Sequence, residues 1–256
     1  MPDQTPTAPN HVTAVFFGTA DQPEFLQGMQ QAINQINPPA GIYAGDNLFT
    51  YHRNLSFLED RPLMEAVAKH STSTVEQGIL WRQSVVLWGA RNGLKLEGDF
   101  VEIACYKGTT ARIVCDALNF SSLHRRYFLY DLFEHEPAMA HHAMPEHGQQ
   151  LYESVKARFS DAPNVVVTQG KVPEVLTAVA PEKIAFMHLD LHNAEAEIGA
   201  LDVLFDRMVP GAVLVLDDYG WLAYRAQKLA EDPWFAARGY FVMELPTGQG
   251  MVIKQS

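Results

Sequence analysis

Three aspartates stand where apolar segments stop. Ile184 to Leu189 is an almost unbroken apolar run that ends at Asp190, and Ala212 to Leu216 is a second that ends at Asp217 and Asp218. Between them Ile198, Leu201, Phe205 and Met208 recur at helical spacing, and Pro210-Gly211 signals a turn. Strand, helix, strand predicts two parallel neighbours whose carboxyl ends share one edge, the edge at which open α/β sheets bind ligands. Three carboxylates at one rim repel unless a cation or a proton lies among them. Helix capping at the strand ends is the plain structural alternative.

A second group of residues points to what is bound beside them. Glu102-Ile-Ala-Cys-Tyr-Lys-Gly108-Thr-Thr110 reads as an acid on a strand, a tight loop with a glycine, then a helix. Such a loop lets its backbone approach a nucleotide-like ligand closely. Its candidate contacts are Glu102, Ala104, Tyr106, Lys107, Gly108 and Thr109. A single glycine in a first βα turn also has a purely steric explanation. The G-x-G-x-x-G signature is missing, with Ala104 where a glycine is expected. The second strand ends in Tyr130-Asp131, 23 positions after Gly108. A carboxylate there can accept both hydroxyls of a ribose, although an acid capping a loop accounts for it too. Gln169-Gly170 ends the third strand, where adenine is commonly held; an ordinary turn explains it equally well. Pyrophosphate needs a glycine-rich helix start or basic groups, and this loop offers only Lys107. S-adenosylmethionine has no phosphate and a positive sulfonium, so it is the expected cofactor, with its amino group near an acid such as Glu102.

In order and spacing, Val101-Glu-Ile-Ala-Cys-Tyr-Lys-Gly108, Tyr130-Asp-Leu-Phe133, His188-Leu-Asp190 and Pro210-Gly-Ala-Val-Leu-Val-Leu-Asp-Asp-Tyr219 resemble the macrocin O-methyltransferase family. Those are class I adenosylmethionine-dependent enzymes that methylate sugar hydroxyls. The likeness runs over roughly residues 81–230 and is most specific where Asp190 is followed 27 positions later by Asp217-Asp218-Tyr219. The family's matching aspartates hold magnesium, so the resemblance implies that Asp190, Asp217 and Asp218 hold Mg²⁺ or another hard divalent cation beside the cofactor. Three oxygen donors and no Cys/His cluster agree with that choice. The implied activity is methyl transfer to a hydroxyl of a sugar, glycoside or similar small molecule, with the cation acting as a Lewis acid. The family reads Asp-x-Asp after the fourth strand, its second acid the proposed general base; here that position is His192. Imidazole has a suitable pKa for the task, so His192 is the candidate base. Asp190 as base with His192 on the substrate, or lost activity, are the other outcomes. The rival functions are a cofactor-binding member that acts as a partner without catalysis, and a nicotinamide-dependent oxidoreductase, which the missing glycines disfavour.

The elements that must position these residues follow from pattern. From Asp99 onward, strands are predicted at 100–103, 127–130, 165–168, 184–189, 212–216, 240–245 and 251–254, and helices at 110–118, 146–159, 172–178, 194–208 and 221–230. Alternating strands and helices with two closing strands predict a doubly wound, mostly parallel seven-stranded sheet, a Rossmann-like α/β fold, over residues 96–256. Residues 1–95 read as a mainly helical cap after about ten disordered residues, with a strand at 12–17 and helices at 24–36, 62–69 and 74–91. Residues 41–54 are aromatic and irregular, and Tyr51, His52 and Arg53 are candidate acceptor contacts. The cap's aromatic richness would suit a homodimer contact. Residues 134–148 hold His135, His141, His142 and His147 without periodicity and read as a lid. Trp81, Trp88 and Trp221 read as packing residues.

Composition sets the remaining bounds. An apolar fraction of 47% is ample for a core. The net charge of −11, with no Lys/Arg block, argues against nucleic acid as partner. No apolar run approaches membrane-spanning length and no cationic leader opens the chain. With Cys105 and Cys115 as its only cysteines, the chain has no disulfide framework. A soluble cytoplasmic protein is expected, its glycosylation triplets at Asn54 and Asn119 being chance.

Overall fold

The computed structural model describes residues 8–135 and 144–255. The first seven of the about ten residues expected to be disordered, and the lid histidines His141 and His142, lie outside them. The chain divides into two compact units, Met1–Ser84 and Val85–Ser256.

The first unit is less helical than its sequence suggests. Strand β1 (His11–Val12) pairs in parallel with β2 (Tyr43–Gly45), after helix α1 (Gln22–Ile33), and β2 pairs antiparallel with β3 (Leu48–Thr50). The stretch read as irregular is therefore a hairpin. Its two loop residues, Asp46 and Asn47, have φ values of 54° and 56°, as a type I′ turn requires; Asp and Asn tolerate that conformation best among residues with side chains. Asp46 is buried and held by Arg82 through two bonds of 2.6 Å. Helix α2 (Arg61–His70) starts at the Asp60 cap. The helix predicted over 74–91 is broken at Ile79 into α3 (Thr74–Gly78) and α4 (Leu80–Gly93). A capping box between Ser73 and Glu76 starts α3. Trp81 packs edge-on against Tyr43 at 5.0 Å, as expected of a core residue, whereas Trp88 is 46% exposed.

The sheet unit begins inside α4, so the division falls at Ser84/Val85 and not at 95/96. Val86 and Ala90 pack with Phe100, Phe186 and Val213 of the sheet, which assigns this half of the helix to it. After it come β4 (Asp99–Ile103), α5 (Thr109–Ala117), β5 (Tyr127–Asp131), α6 (Gln149–Arg158), β6 (Val165–Gln169) and β7 (Ile184–Leu189). Then follow α7 (Ala194–Leu204), β8 (Met208–Leu216), α8 (Arg225–Ala236), β9 (Met243–Glu244) and β10 (Gly250–Ile253). Residues 172–178, predicted as a helix, form only a 3₁₀ turn at Glu174–Thr177.

The seven strands lie in the order β6-β5-β4-β7-β8-β10-β9, parallel from β6 to β8 and antiparallel beyond. This is the class I methyltransferase, Rossmann-like fold. Pro210-Gly211 makes no free turn. It bulges β8, so that Ile184 pairs with Met208 while Phe186 pairs with Val213. Side-chain alternation splits the sheet between two cores. Val101, Ile103, Met187 and Leu189 face one; Phe100, Tyr127, Phe186 and Val215 face the other. Strand order reverses between β4 and β7, the crevice at whose carboxyl end such sheets take ligands. Among the described residues no helix is long and apolar enough to cross a membrane.

Candidate active site

Sheet pairing carries the acids to that crevice. The Asp190 amide bonds to Ile103 O on β4 (3.1 Å) and the Asp217 amide to Leu189 O on β7 (2.9 Å). The three aspartates end neighbouring strands, but among the described residues no single group of ligand atoms contains all three; two histidines sort them into two groups that share Asp190. One is His188, Asp190 and Asp217; the other is Asp190, His192 and Asp218. Within each group the ligand atoms lie within 4.8 Å of one another.

The inner group is part of the sheet. His188 lies opposite Glu102 in the β4–β7 register, on the face that also carries Tyr127. Its Nδ1 is 3.5 Å from Glu102 and its Nε2 3.3 Å from Asp217. The Tyr127 hydroxyl donates to Glu102 (2.9 Å), Gln249 Nε2 donates to Asp217 (2.8 Å), and Gln249 Oε1 accepts from the Thr247 hydroxyl (2.9 Å). A buried polar row thus crosses β5, β4, β7, the end of β8 and the residue before β10. Burial opposes a charge on His188, yet Asp217 and Glu102 outweigh it and raise its pKa well above the ordinary value. Glu102, expected to meet the cofactor's amino group, spends its carboxylate inside this row and is 2% exposed.

The outer group opens to the cleft. His192 Nε2 is 2.9 Å from Asp218 and 3.8 Å from Asp190, and the imidazole stacks on the Tyr224 ring at 4.5 Å. Burial works against its protonation, but the Asp218 bond and the fields of Asp190 and Asp217 push its pKa up to about 9. Removal from water, followed by the facing carboxylates of Asp217 and Asp218, holds Asp190 well above the usual carboxylate range.

The expected cofactor loop is built mostly by its own contacts. Ala104, Tyr106 and Gly108 alternate at φ values of 63°, 47° and 68°. Tyr106 N and Phe133 N donate to the two oxygens of Asp131 at 2.7 and 2.6 Å. Each oxygen keeps a further lone pair. Burial raises Asp131 above the usual carboxylate range, although the two amides pull the other way. A Cβ on Gly108 would sit 2.9 Å from the Phe159 ring, so this glycine answers to packing as well as to φ. Thr109 opens α5 and is buried. Lys107 pairs with Glu146 at 2.6 Å, and the Tyr106 hydroxyl bonds to the same carboxylate. His147 stacks edge-on to Tyr106 and parallel to His135. Gln169 Nε2 donates to Leu132 O (3.2 Å), and Gly170 N to Asp131 O (3.0 Å). The β5 and β6 ends are thereby tied together.

Three contributors escaped the sequence reading. His188 carried a signal, a titratable residue inside an otherwise apolar strand. Gln249 and Tyr224 carried none, because only the β8–β10 pairing and the approach to α8 bring them in.

Residues 101–219, from β4 to the residue after Asp218, match the family model of a methyltransferase domain. A search of curated proteins gave no match. Among solved structures the chain is similar to the O-methyltransferase NovP, at 16% identity over 69% of this chain and 81% of that one, with a TM-score of 0.58. It is also similar to apo CalS11, a TDP-rhamnose 3′-O-methyltransferase of calicheamicin biosynthesis. That match has 14% identity over 95% and 98% of the two chains and a TM-score of 0.56. SAH-bound PaMTH1 of Podospora anserina matches at 12% identity over 77% and 88%, with a TM-score of 0.54. At such identities the likeness is one of fold.

Proposed function

We propose that the chain is an S-adenosylmethionine-dependent O-methyltransferase acting on a hydroxyl of a small molecule, a sugar or glycoside, with help from a divalent cation. The observation that carries this reading is the outer group. An imidazole faces Asp218 and Asp190 at the ligand edge of a fold whose residues 101–219 match a methyltransferase domain. The fold shared with CalS11 and NovP supports O-methylation, and the sugar named for CalS11 supports the acceptor class.

The donor set fits a cation. Asp190 is pushed up partly because it faces two more carboxylates, a charge excess that a divalent ion relieves. Asp190 would hold it together with Asp217 and His188, or together with Asp218 and His192, the two groups whose ligand atoms lie within reach of one another. When bound, it supplies Lewis acidity that lowers the pKa of an acceptor hydroxyl. S-adenosylmethionine supplies an electrophilic methyl group on sulfur.

The chain's own residues do the rest. Asp131 offers its remaining lone pairs to the ribose hydroxyls, and its fixed bonds to Tyr106 and Phe133 set their direction. Gln169 and Gly170 border the adenine end. Glu102 and His188 act from below by orienting Asp217. Asp218 and Tyr224 hold His192 in one orientation with Nε2 toward Asp218, and its neutral form takes the acceptor's proton at Nδ1.

Titration calorimetry separates this from its rivals. Adenosylhomocysteine should bind and NADH should not; the reverse would establish a nicotinamide enzyme. Binding without methyl transfer to any vicinal diol or catechol, with or without Mg²⁺ or Mn²⁺, would leave a non-catalytic cofactor binder.

A further inference from the structure

Helix α8 reaches the site through a side chain that the proposed mechanism does not use. Gln227 is 3% exposed, and its Nε2 donates to the carbonyl of Leu191 at 2.5 Å. Leu191 lies between Asp190 and His192, two positions beyond the last residue of β7. Of these three residues, Leu191 is the one with no functional side chain of its own, so its peptide is the natural handle on both neighbours.

Behind Gln227 polar side chains continue inward. Glu197 of α7 and Glu231, one turn further along α8, lie close behind it, and among the described residues neither oxygen of Glu231 has a hydrogen-bond partner. Both residues are nearly sealed from water, at 2% and 1% exposure. Burial pushes Glu197 well above the usual carboxylate range and Glu231 up to about 7. The groups that face the pair are Gln227 and, at longer range, Asp218, Asp232 and Lys228. Packing alone would favour apolar residues here, since each buried polar group costs stability unless it is bonded.

We propose that Gln227 is a positioning residue: through the Leu191 carbonyl it fixes the Asp190–His192 turn. The kinetic consequence rests on the methyltransferase reading, while the geometry does not. A rigid backing of this kind is what keeps a reacting group within the narrow range of productive orientations.

The test reads His192 directly. In protein labelled with ¹⁵N-histidine, the Nε2–H bonded to Asp218 gives a downfield imidazole resonance at pH 7. Gln227→Leu, verified as folded by circular dichroism, should lose or broaden that resonance. Once an acceptor is in hand, its kcat should fall roughly 10- to 100-fold, the usual effect of removing an orienting partner, with the donor KM within about twofold. Gln227→Glu supplies a donor only while its carboxylic acid keeps its proton. It should match wild type at pH 5.5 and depart from it at pH 8.5. An unchanged resonance in folded Gln227→Leu overturns the proposal, as does a Gln227→Glu protein that matches wild type at both pH values; the second comparison decides if the leucine variant does not fold. Adenosylhomocysteine titrated into the same samples reports separately. If it fails to bind wild type, the methyltransferase reading falls while the resonance comparison stands.

Discussion

His188 and His192 lie four residues apart, and each faces an aspartate from the end of β8, yet the two groups differ in kind. His188 is sealed beneath the sheet with carboxylates on both ring nitrogens. His192 is a quarter exposed, with one close acid and an aromatic ring behind it. Strand alternation explains the contrast. Position 188 must point into a core, whereas position 192 lies beyond the strand, before Asn193 caps α7. The same pairing of residue types therefore serves structure in one place and, on the proposed reading, chemistry in the other. Which role applies is set by access to water, not by identity.

Substitutions should separate the two. His192→Ala should lower kcat by about 10²- to 10⁴-fold, the usual worth of a general base, with adenosylhomocysteine affinity little changed and a smaller loss of stability than His188→Ala shows. His188→Ala should do the opposite. Leaving Glu102 and Asp217 buried without their partner should cost about 3–5 kcal/mol in urea denaturation. Equal stability losses in both variants would erase the distinction.

The pH dependence of stability sharpens it. The folded-state pKa of His192, about 9, is raised above the ordinary imidazole value. Its contribution to stability is therefore complete below pH 6.5 and disappears as pH climbs through 9. The melting temperature of wild type should exceed that of His192→Asn at pH 6, and the gap should close above pH 9.5. In the absence of metal, kcat/KM should rise over the same interval, because the base works only without its proton.

Smaller effects are expected in the cofactor loop. Gly108→Ala meets both a left-handed φ and the Phe159 ring and should cost about 1–3 kcal/mol in a chemical melt. Ala104→Gly relieves a non-glycine residue at φ 63°. Greater freedom of the unfolded chain offsets most of that gain, so stability should change by less than about 1 kcal/mol.

How much of this was legible beforehand follows the same division. Asp190, Asp217 and Asp218 could be read because each ends an apolar run, and run ends mark sheet edges. The seven strands and their mostly parallel arrangement followed from the alternation of elements. Asp46-Asn47 concealed a hairpin because neither residue is the glycine that usually announces one. The extent of α4 that belongs to the sheet was hidden because helical periodicity does not say which partner a face meets. Lys107 looked available to a ligand, but its pairing with Glu146 depends on a contact 39 positions away. Glu102 looked like a cofactor ligand because its place on a strand fits that role; the histidine that engages it lies 86 positions downstream. Contacts of that range are set by topology and leave no local pattern.

The most direct test uses wild type and Asp218→Ala, both shown by calorimetry to bind adenosylhomocysteine. Each is given adenosylmethionine labelled in its methyl group and a panel of glycosides and catechols. Wild type should label an acceptor hydroxyl, and the variant should fall at least a hundredfold short. Equal labelling by the two proteins would remove the outer acid–imidazole group from the chemistry.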